Sequence, residues 1–286
     1  MGGRVGCVAR QARIEYEGAC YHVMARGDRR EEIFLCDGDR DLFLATLGEA
    51  CGRSGMRVLG YVLMANHYHL LVSTPEGNLV AAIRWMRNAY TRRFNARHGL
   101  WGHVFGGRYK AVLVDAKVGA YFCAALDYIH LNSVRAGLVR RQDGLESYGW
   151  SSLRANGQAP RKRPEWLDVA GGLGAAGLAD AAAGRREFLE RLERRVDWGR
   201  AGDAGLDGPL GLGAALRRGW CFGAEAFRER MLKLVGGRIA RRRARRADGY
   251  RGGEVRDHGL GRARRLVEAG LEAFGLTSDR LIGARG

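Results

Sequence analysis

The sequence predicts an α+β fold: a ferredoxin-like antiparallel sheet with helices packed on one face, followed by a mainly helical C-terminal region. Three observations predict it. Strand-like and helix-like patterns alternate through the first half in the order βαββαβα, which is the ferredoxin-like order. Apolar residues make up 46% of the 286-residue chain, enough for an ordinary core. Beyond Asn156–Pro164, a polar, basic stretch with two of the four prolines, no strand pattern of comparable quality recurs. The expected organisation is a first domain over residues 13–155, a linker over 156–164 and a basic helical region over 165–286.

Each element has its own signal. Cys20–Ala25 (CYHVMA) reads as a strand ended by Arg26-Gly27-Asp28. From Asp39 to Cys51 apolar residues recur at helical spacing, with Asp39 as the cap. Val58–Met64 and His67–Ser73 are two strands separated by Ala65-Asn66. A second helix runs from about Asn78 to Arg97, with Val80, Ile83, Met86, Tyr90 and Phe94 as its buried stripe. Tyr109–Val114 is a further strand, and a third helix runs from Lys117 to about Ser133. In the second half, Ala179–Val196, Ala224–Leu234 and Arg262–Phe274 carry helical patterns, and Arg241–Arg246 (RRRARR) is the most basic segment.

The formal charge is +17 and the pI about 10.3, a field that favours a polyanionic partner. Only four of the 48 basic residues are Lys and glycine reaches 44, so an Arg- and Gly-rich coding bias contributes to that figure. Distribution says more than the total. Residues 1–50 carry 7 basic and 9 acidic side chains, whereas residues 51–100 carry 7 and 1, and residues 201–250 carry 11 and 5. Six scattered cysteines with no C-x-x-C pair argue against a structural zinc site or a disulfide scaffold. The first eleven residues contain no apolar run of signal type and no stretch approaches a membrane span, so the reduced cytoplasm is the expected location.

The chemistry concentrates in two places. His67 and His69 open a strand, and strand side chains alternate, so both imidazoles leave one face with Tyr68 on the other. Two such imidazoles can chelate one divalent ion; a pair of half-exposed strand histidines without metal fits the same pattern. A buried neighbouring strand and a third ligand would decide between them. Tyr128 and Asn132, four apart in the third helix, stack on one face, which makes Asn132 a candidate third ligand. His130 points away from that face. In the second helix Arg84, Arg87, Arg92, Arg93 and Arg97 interleave with Trp85 and Tyr90, a pattern suited to backbone phosphates and unpaired bases, and equally to a solvated helix face. Arg108 and Lys110 alternate onto one face of a strand, and Arg135 lies at the end of the Tyr128 helix; all three are further DNA-contact candidates.

These residues carry a resemblance. His67-Tyr68-His69 is similar to the His-hydrophobe-His motif of the HUH endonucleases, and Tyr128–Val139 (YIHLNSVRAGLV) resembles the tyrosine helix of the REP-associated tyrosine transposases. Gly106–Asp115 (GGRYKAVLVD) and Tyr148–Ala155 (YGWSSLRA) look like the same family, so the resemblance spans about residues 13–155. Ser133 stands where that family usually has Pro, and Asn132 stands where simpler single-tyrosine relatives have Gln. The resemblance implies that His67, His69 and Asn132 hold Mg²⁺ or Mn²⁺, which polarises a scissile phosphate. It implies that Tyr128 attacks the phosphorus to give a 5′-phosphotyrosine and a free 3′-OH. A tyrosine hydroxyl ordinarily titrates near 10, so proton removal needs help. It further implies single-stranded or hairpin DNA as substrate, a monomer or a homodimer, and a C-terminal DNA-binding region that this chain carries only in part. Two other readings remain open: a catalytically inactive nucleic-acid-binding protein on the same sheet, and a metallohydrolase using water, whose activity would survive Tyr128→Phe.

Overall fold

The computed structural model describes residues 13–196, 216 and 219–236. The chain divides into two compact units, residues 1–230 and 231–286; in the second, the described residues 231–236 are helical. Arg241–Arg246 and Arg262–Phe274 lie outside the described residues.

In the first unit the order is β1 (Ala19–Arg26), α1 (Asp37–Ser54), β2 (Arg57–Met64), β3 (His67–Thr74), α2 (Leu79–His98), β4 (Lys110–Val114) and α3 (Gly119–His130). The strands lie in the order β2-β3-β1-β4, each antiparallel to its neighbour, which is the expected ferredoxin-like sheet. A two-residue strand, β5 (Cys221–Phe222), adds to the free edge of β4 in parallel. Among the described residues no helix is long and apolar enough to cross a membrane.

Local chemistry sets the boundaries. The first helix starts at Asp37, two residues before the expected cap, and Asp39 works from inside its first turn. Its carboxylate accepts from the backbone N–H of Leu35 at 2.9 Å and of Cys36 at 3.2 Å, groups the helix itself cannot satisfy. Both α1 and α2 end on a left-handed glycine, Gly55 at φ 66° and Gly99 at φ 64°. Of the expected stripe, Ile83, Met86, Tyr90 and Phe94 are buried, whereas Val80, in the first turn, is only half-buried. The third helix is shorter than expected. It closes at His130 and, after Leu131, a short turn α4 (Asn132–Arg135) continues its course, with Leu131 N–H still bonded to Asp127 O at 2.9 Å.

The single-face expectation holds for α1 and α2 but not for α3. The first two share the Tyr68 face, where the Phe43 ring lies 4.9 Å from Tyr68 and 5.2 Å from Tyr90. On the opposite face α3 packs over β2 and β3, with Tyr128 against His22 and His69. Its apolar residues surround it because it is covered twice, by the sheet beneath and by later helices above. Gly60 in β2 permits the lower contact: a Cβ there would stand 2.6 Å from Leu126 Cδ1.

The upper cover comes from the segment that starts at Leu153. It contains α5 (Leu153–Gly157), α6 (Val169–Ala175) and α7 (Ala182–Arg195), in keeping with a helical C-terminal region. The His130 and Phe188 rings lie 5.6 Å apart, edge to face. Arg191 and Arg195 of α7 reach the fully buried Asp127 carboxylate at 2.7 and 2.5 Å. Residues 156–164, expected as a linker, are folded against this body. The Arg163 guanidinium is 5% exposed, pairs with Asp180 at 2.7 Å and donates to Ala155 O at 2.9 Å.

Candidate active site

The tight β2–β3 turn delivers Asn66 and His67 together. Asn66 Nδ2 donates to Arg30 O at 3.0 Å, which leaves its Oδ1 to accept from His67 Nδ1–H at 2.7 Å. One turn of the pleat later, His69 Nδ1 lies 2.8 Å from Nε2 of His22 in β1. Both Nδ1 atoms are thus engaged, and the two Nε2 atoms remain for a ligand. The rings stand 5.2 Å apart at 80°. His69 is buried and His67 half-buried.

Tyr128 descends from α3 onto this pair. Its ring centroid is 5.8 Å from His69 and 5.5 Å from His22, and both contacts are edge to face. Arg135 lies across the other side of the phenol, 3.9 Å from the ring centroid, and its Nη2 donates to Tyr128 O at 2.6 Å. Asn132, half-buried one turn after Tyr128, keeps a buried amide nitrogen with no hydrogen-bond partner. Which amide atom occupies that position is an assignment, since a carboxamide flip exchanges nitrogen and oxygen.

Burial holds all three imidazoles neutral. It pushes His22 down to about 3, with Arg135 and Lys110 adding to the effect. It pushes His67 down to about 4 with help from Arg26, and takes His69 well below its usual range. Neutral imidazole is the form that binds metal. Among the described residues no three His, Cys, Asp or Glu side chains stand close enough to share an ion. Any third protein donor would have to be of another type, such as the Asn132 carboxamide. Two Nε2 lone pairs and a spare carboxamide fit a divalent cation such as Mn²⁺ or Mg²⁺.

The arginine and lysine candidates separate. Lys110 pairs with Met24 across the sheet and so leaves from the His22 face, and Arg135 lies on Tyr128. Arg108 is exposed just before β4. The α2 residues belong to the far side of the sheet. Arg84 and Arg92 line a groove between α1 and α2 with Arg53, Trp85, Asn78 and Asn88. Arg87 donates to Gly107 O at 2.7 Å, and Arg93 is held by Glu49 and Thr46 at 2.7 and 2.8 Å. Two residues at the site escape sequence reasoning. His22 lies within a stretch that reads as a strand with no role for its imidazole, and Arg26, which the pattern places at the strand's end, lies inside β1 opposite His67. Strand parity placed His22 on the Cys20 and Met24 face, but which strand lies opposite is not local information.

Among curated proteins none matches the sequence. Among solved structures, one described as a REP-associated tyrosine transposase bound to a REP hairpin is similar at 15% identity and TM-score 0.44. The similarity covers 57% of this chain and 93% of that one. A Deinococcus radiodurans R1 protein described as a transposase is similar at 17% identity and TM-score 0.31, covering 46% and 92%. Residues 15–131 match the family described as "Transposase IS200 like". That stretch holds β1 to β4, His22, His67, His69 and Tyr128, so the similarity to that family covers the sheet and all four of these residues.

Proposed function

We propose that this protein is a DNA-cleaving and strand-joining transposase that works through a 5′-phosphotyrosine on Tyr128. The observation that carries the proposal is the placement of the Tyr128 ring 5.8 Å from the buried His69 ring, whose Nε2, like that of His67 beside it, is left for a ligand. His67, His69 and Asn132 would hold Mg²⁺ or Mn²⁺. Such an ion, when bound, neutralises charge on the scissile phosphate and on the leaving oxygen.

The chain's own residues account for the rest. Tyr128 Oη gives up its proton and forms a bond to phosphorus as the bond from phosphorus to the 3′ oxygen breaks. The departing oxygen takes a proton and becomes a free 3′-OH. Attack of a second 3′-OH on the phosphotyrosine reverses the step and returns the proton to Tyr128. One phosphodiester is exchanged for another, so no nucleotide cofactor is required. Arg135, packed on the Tyr128 ring and tied to its carbonyl, limits the freedom of the nucleophile and brings positive charge to the site. Arg26 and Lys110 leave from the same sheet face, and that cluster suits a polyanion backbone. Single-stranded DNA that can form hairpins is the proposed substrate, and a REP hairpin is the first probe to use.

The test is covalent trapping of the full chain on hairpin DNA with Mn²⁺, read on a denaturing gel. The expected result is an adduct on the fragment with the new 5′ end, absent in Tyr128→Phe and in His67→Ala. Cleavage that persists in Tyr128→Phe would replace the tyrosine with water as nucleophile. Hairpin binding without an adduct under any metal would leave a DNA-binding protein without this chemistry.

A further inference from the structure

We propose that His22 is a positioning residue. Its Nε2 accepts a hydrogen bond from His69 Nδ1–H, and this holds His69 in the tautomer whose Nε2 lone pair is available to a divalent cation. The inference rests on the metal reading of His67 and His69 given above.

The two ring nitrogens are 2.8 Å apart, and both imidazoles are buried, His22 completely. A neutral imidazole carries one N–H, so exactly one of the facing nitrogens can be the donor in this pair. If His22 donates, His69 must carry its own proton on Nε2 and cannot ligate through that atom. If His69 donates, its Nε2 is a bare lone pair and His22 carries its proton on Nδ1. No other acceptor for His69 Nδ1 stands at hydrogen-bond distance among the described residues. The tautomer needed for ligation therefore depends on His22 alone.

The orienting contacts of the two candidate ligands differ in kind. His67 is set by Asn66, its own neighbour in the turn, whose carboxamide oxygen can only accept. His69 is set from another strand. It pairs with Met24, and His22 lies two residues further along the same face of β1, so the contact runs diagonally across the β1–β3 ladder. The His22 ring stacks on His69 at 22° and also meets Tyr128 edge to face, which ties its own orientation to the nucleophile's helix. An orienting partner of this type is worth about 10- to 100-fold in metal affinity.

The experiment compares wild type, His22→Gln and His22→Phe as full-length proteins. Glutamine restores an acceptor oxygen, whereas phenylalanine keeps the ring and removes the acceptor. Affinity for Mn²⁺ alone, read from the free-ion electron paramagnetic resonance signal, is expected to fall about 10- to 100-fold in His22→Phe and to recover to within about threefold of wild type in His22→Gln. Equal affinity in all three proteins would overturn the proposal. The metal-free wild type, labelled with ¹⁵N in its histidines, should show His69 protonated at Nδ1, with the resonance assigned by its loss in His69→Gln. A His69 protonated at Nε2 would overturn the proposal even where His22→Phe fails to fold. Failure of wild type to form a DNA adduct while this affinity ladder holds would remove the nucleophile reading and leave His22 as the orienting residue.

Discussion

Replacing Gly60 with alanine tests whether the Tyr128 helix is seated by a missing side chain. The added Cβ would lie 2.6 Å from Leu126 Cδ1, 3.3 Å from His130 Nε2 and 3.6 Å from Ser152 Oγ. Two carbon atoms sit comfortably at about 3.5–4.0 Å, so roughly 1 Å must be found. Leu126 is fully buried and has little room for another rotamer, so much of the displacement falls on α3. Overpacking of this kind costs about 1–3 kcal/mol. Tyr128 stands two residues along the same helix, and a misplacement of about 1 Å at a reacting group can cost on the order of 10²-fold in rate. Urea unfolding gives the stability change, and the single-turnover rate of adduct formation gives the second number. Leu126→Val removes part of the obstructing side chain and by itself should cost about 1 kcal/mol. In the double variant the two changes should partly cancel, leaving a coupling of about 1 kcal/mol or more. Strict additivity, or Gly60→Ala with unchanged stability, would refute the seating argument.

Four other outcomes follow from the same geometry. Asp127→Ala strands Arg191 and Arg195, and because both guanidinium groups reach solvent the cost should fall near the lower end of the usual range, about 2–3 kcal/mol in urea melts; a change below about 0.5 kcal/mol would mean α7 is not held there. The metal-free protein should lose stability as pH falls below the unfolded-state histidine value of about 6.5. Folded His22 and His130 resist protonation down to about 3 and His67 to about 4, so the unfolded chain binds more protons across that window. Each of the three should contribute about 2 kcal/mol less at pH 5 than at neutral pH, and equal urea midpoints at pH 7.5 and 5.0 in chelator would contradict this. Arg93→Ala should leave hairpin affinity unchanged while Lys110→Ala lowers it, since Glu49 and Thr46 already hold the Arg93 guanidinium; filter binding at two salt concentrations reads both. A chain ending at Gly157 should give a sedimentation profile dominated by aggregate, because it lacks the cover over α3; a monomeric, cooperatively melting fragment would show that the cover is dispensable.

The parts of this molecule that were legible in the sequence are the local ones. His67 and His69 share a face because a strand repeats every two residues, and Ile83, Met86, Tyr90 and Phe94 share one because a helix repeats near 3.6. The strand order followed from the alternation of elements. What stayed hidden depends on register or on distant partners. His22 meets His69 only because β1 and β3 pair with Met24 opposite His69. Arg93 and Arg163 look like free cations until Glu49 and Asp180 arrive from elsewhere in the fold. The double burial of α3 did leave a trace, since Phe122, Ala125, Leu126, Ile129 and His130 leave no broad polar side. Read for that trace, the helix would have been placed between two layers rather than beside one.

The clasp of Arg191 and Arg195 on Asp127 also bears on how such chains can be recombined. The stretch that matches the family stops at residue 131, yet the carboxylate beside Tyr128 finds its counter-charges about sixty residues downstream. A crossover placed at the end of the matched stretch would separate an anion from its cations and strip the apolar back of the Tyr128 helix. Shuffling that preserves this packing has to move residues 119–195 as one cassette, with any crossover placed downstream of α7.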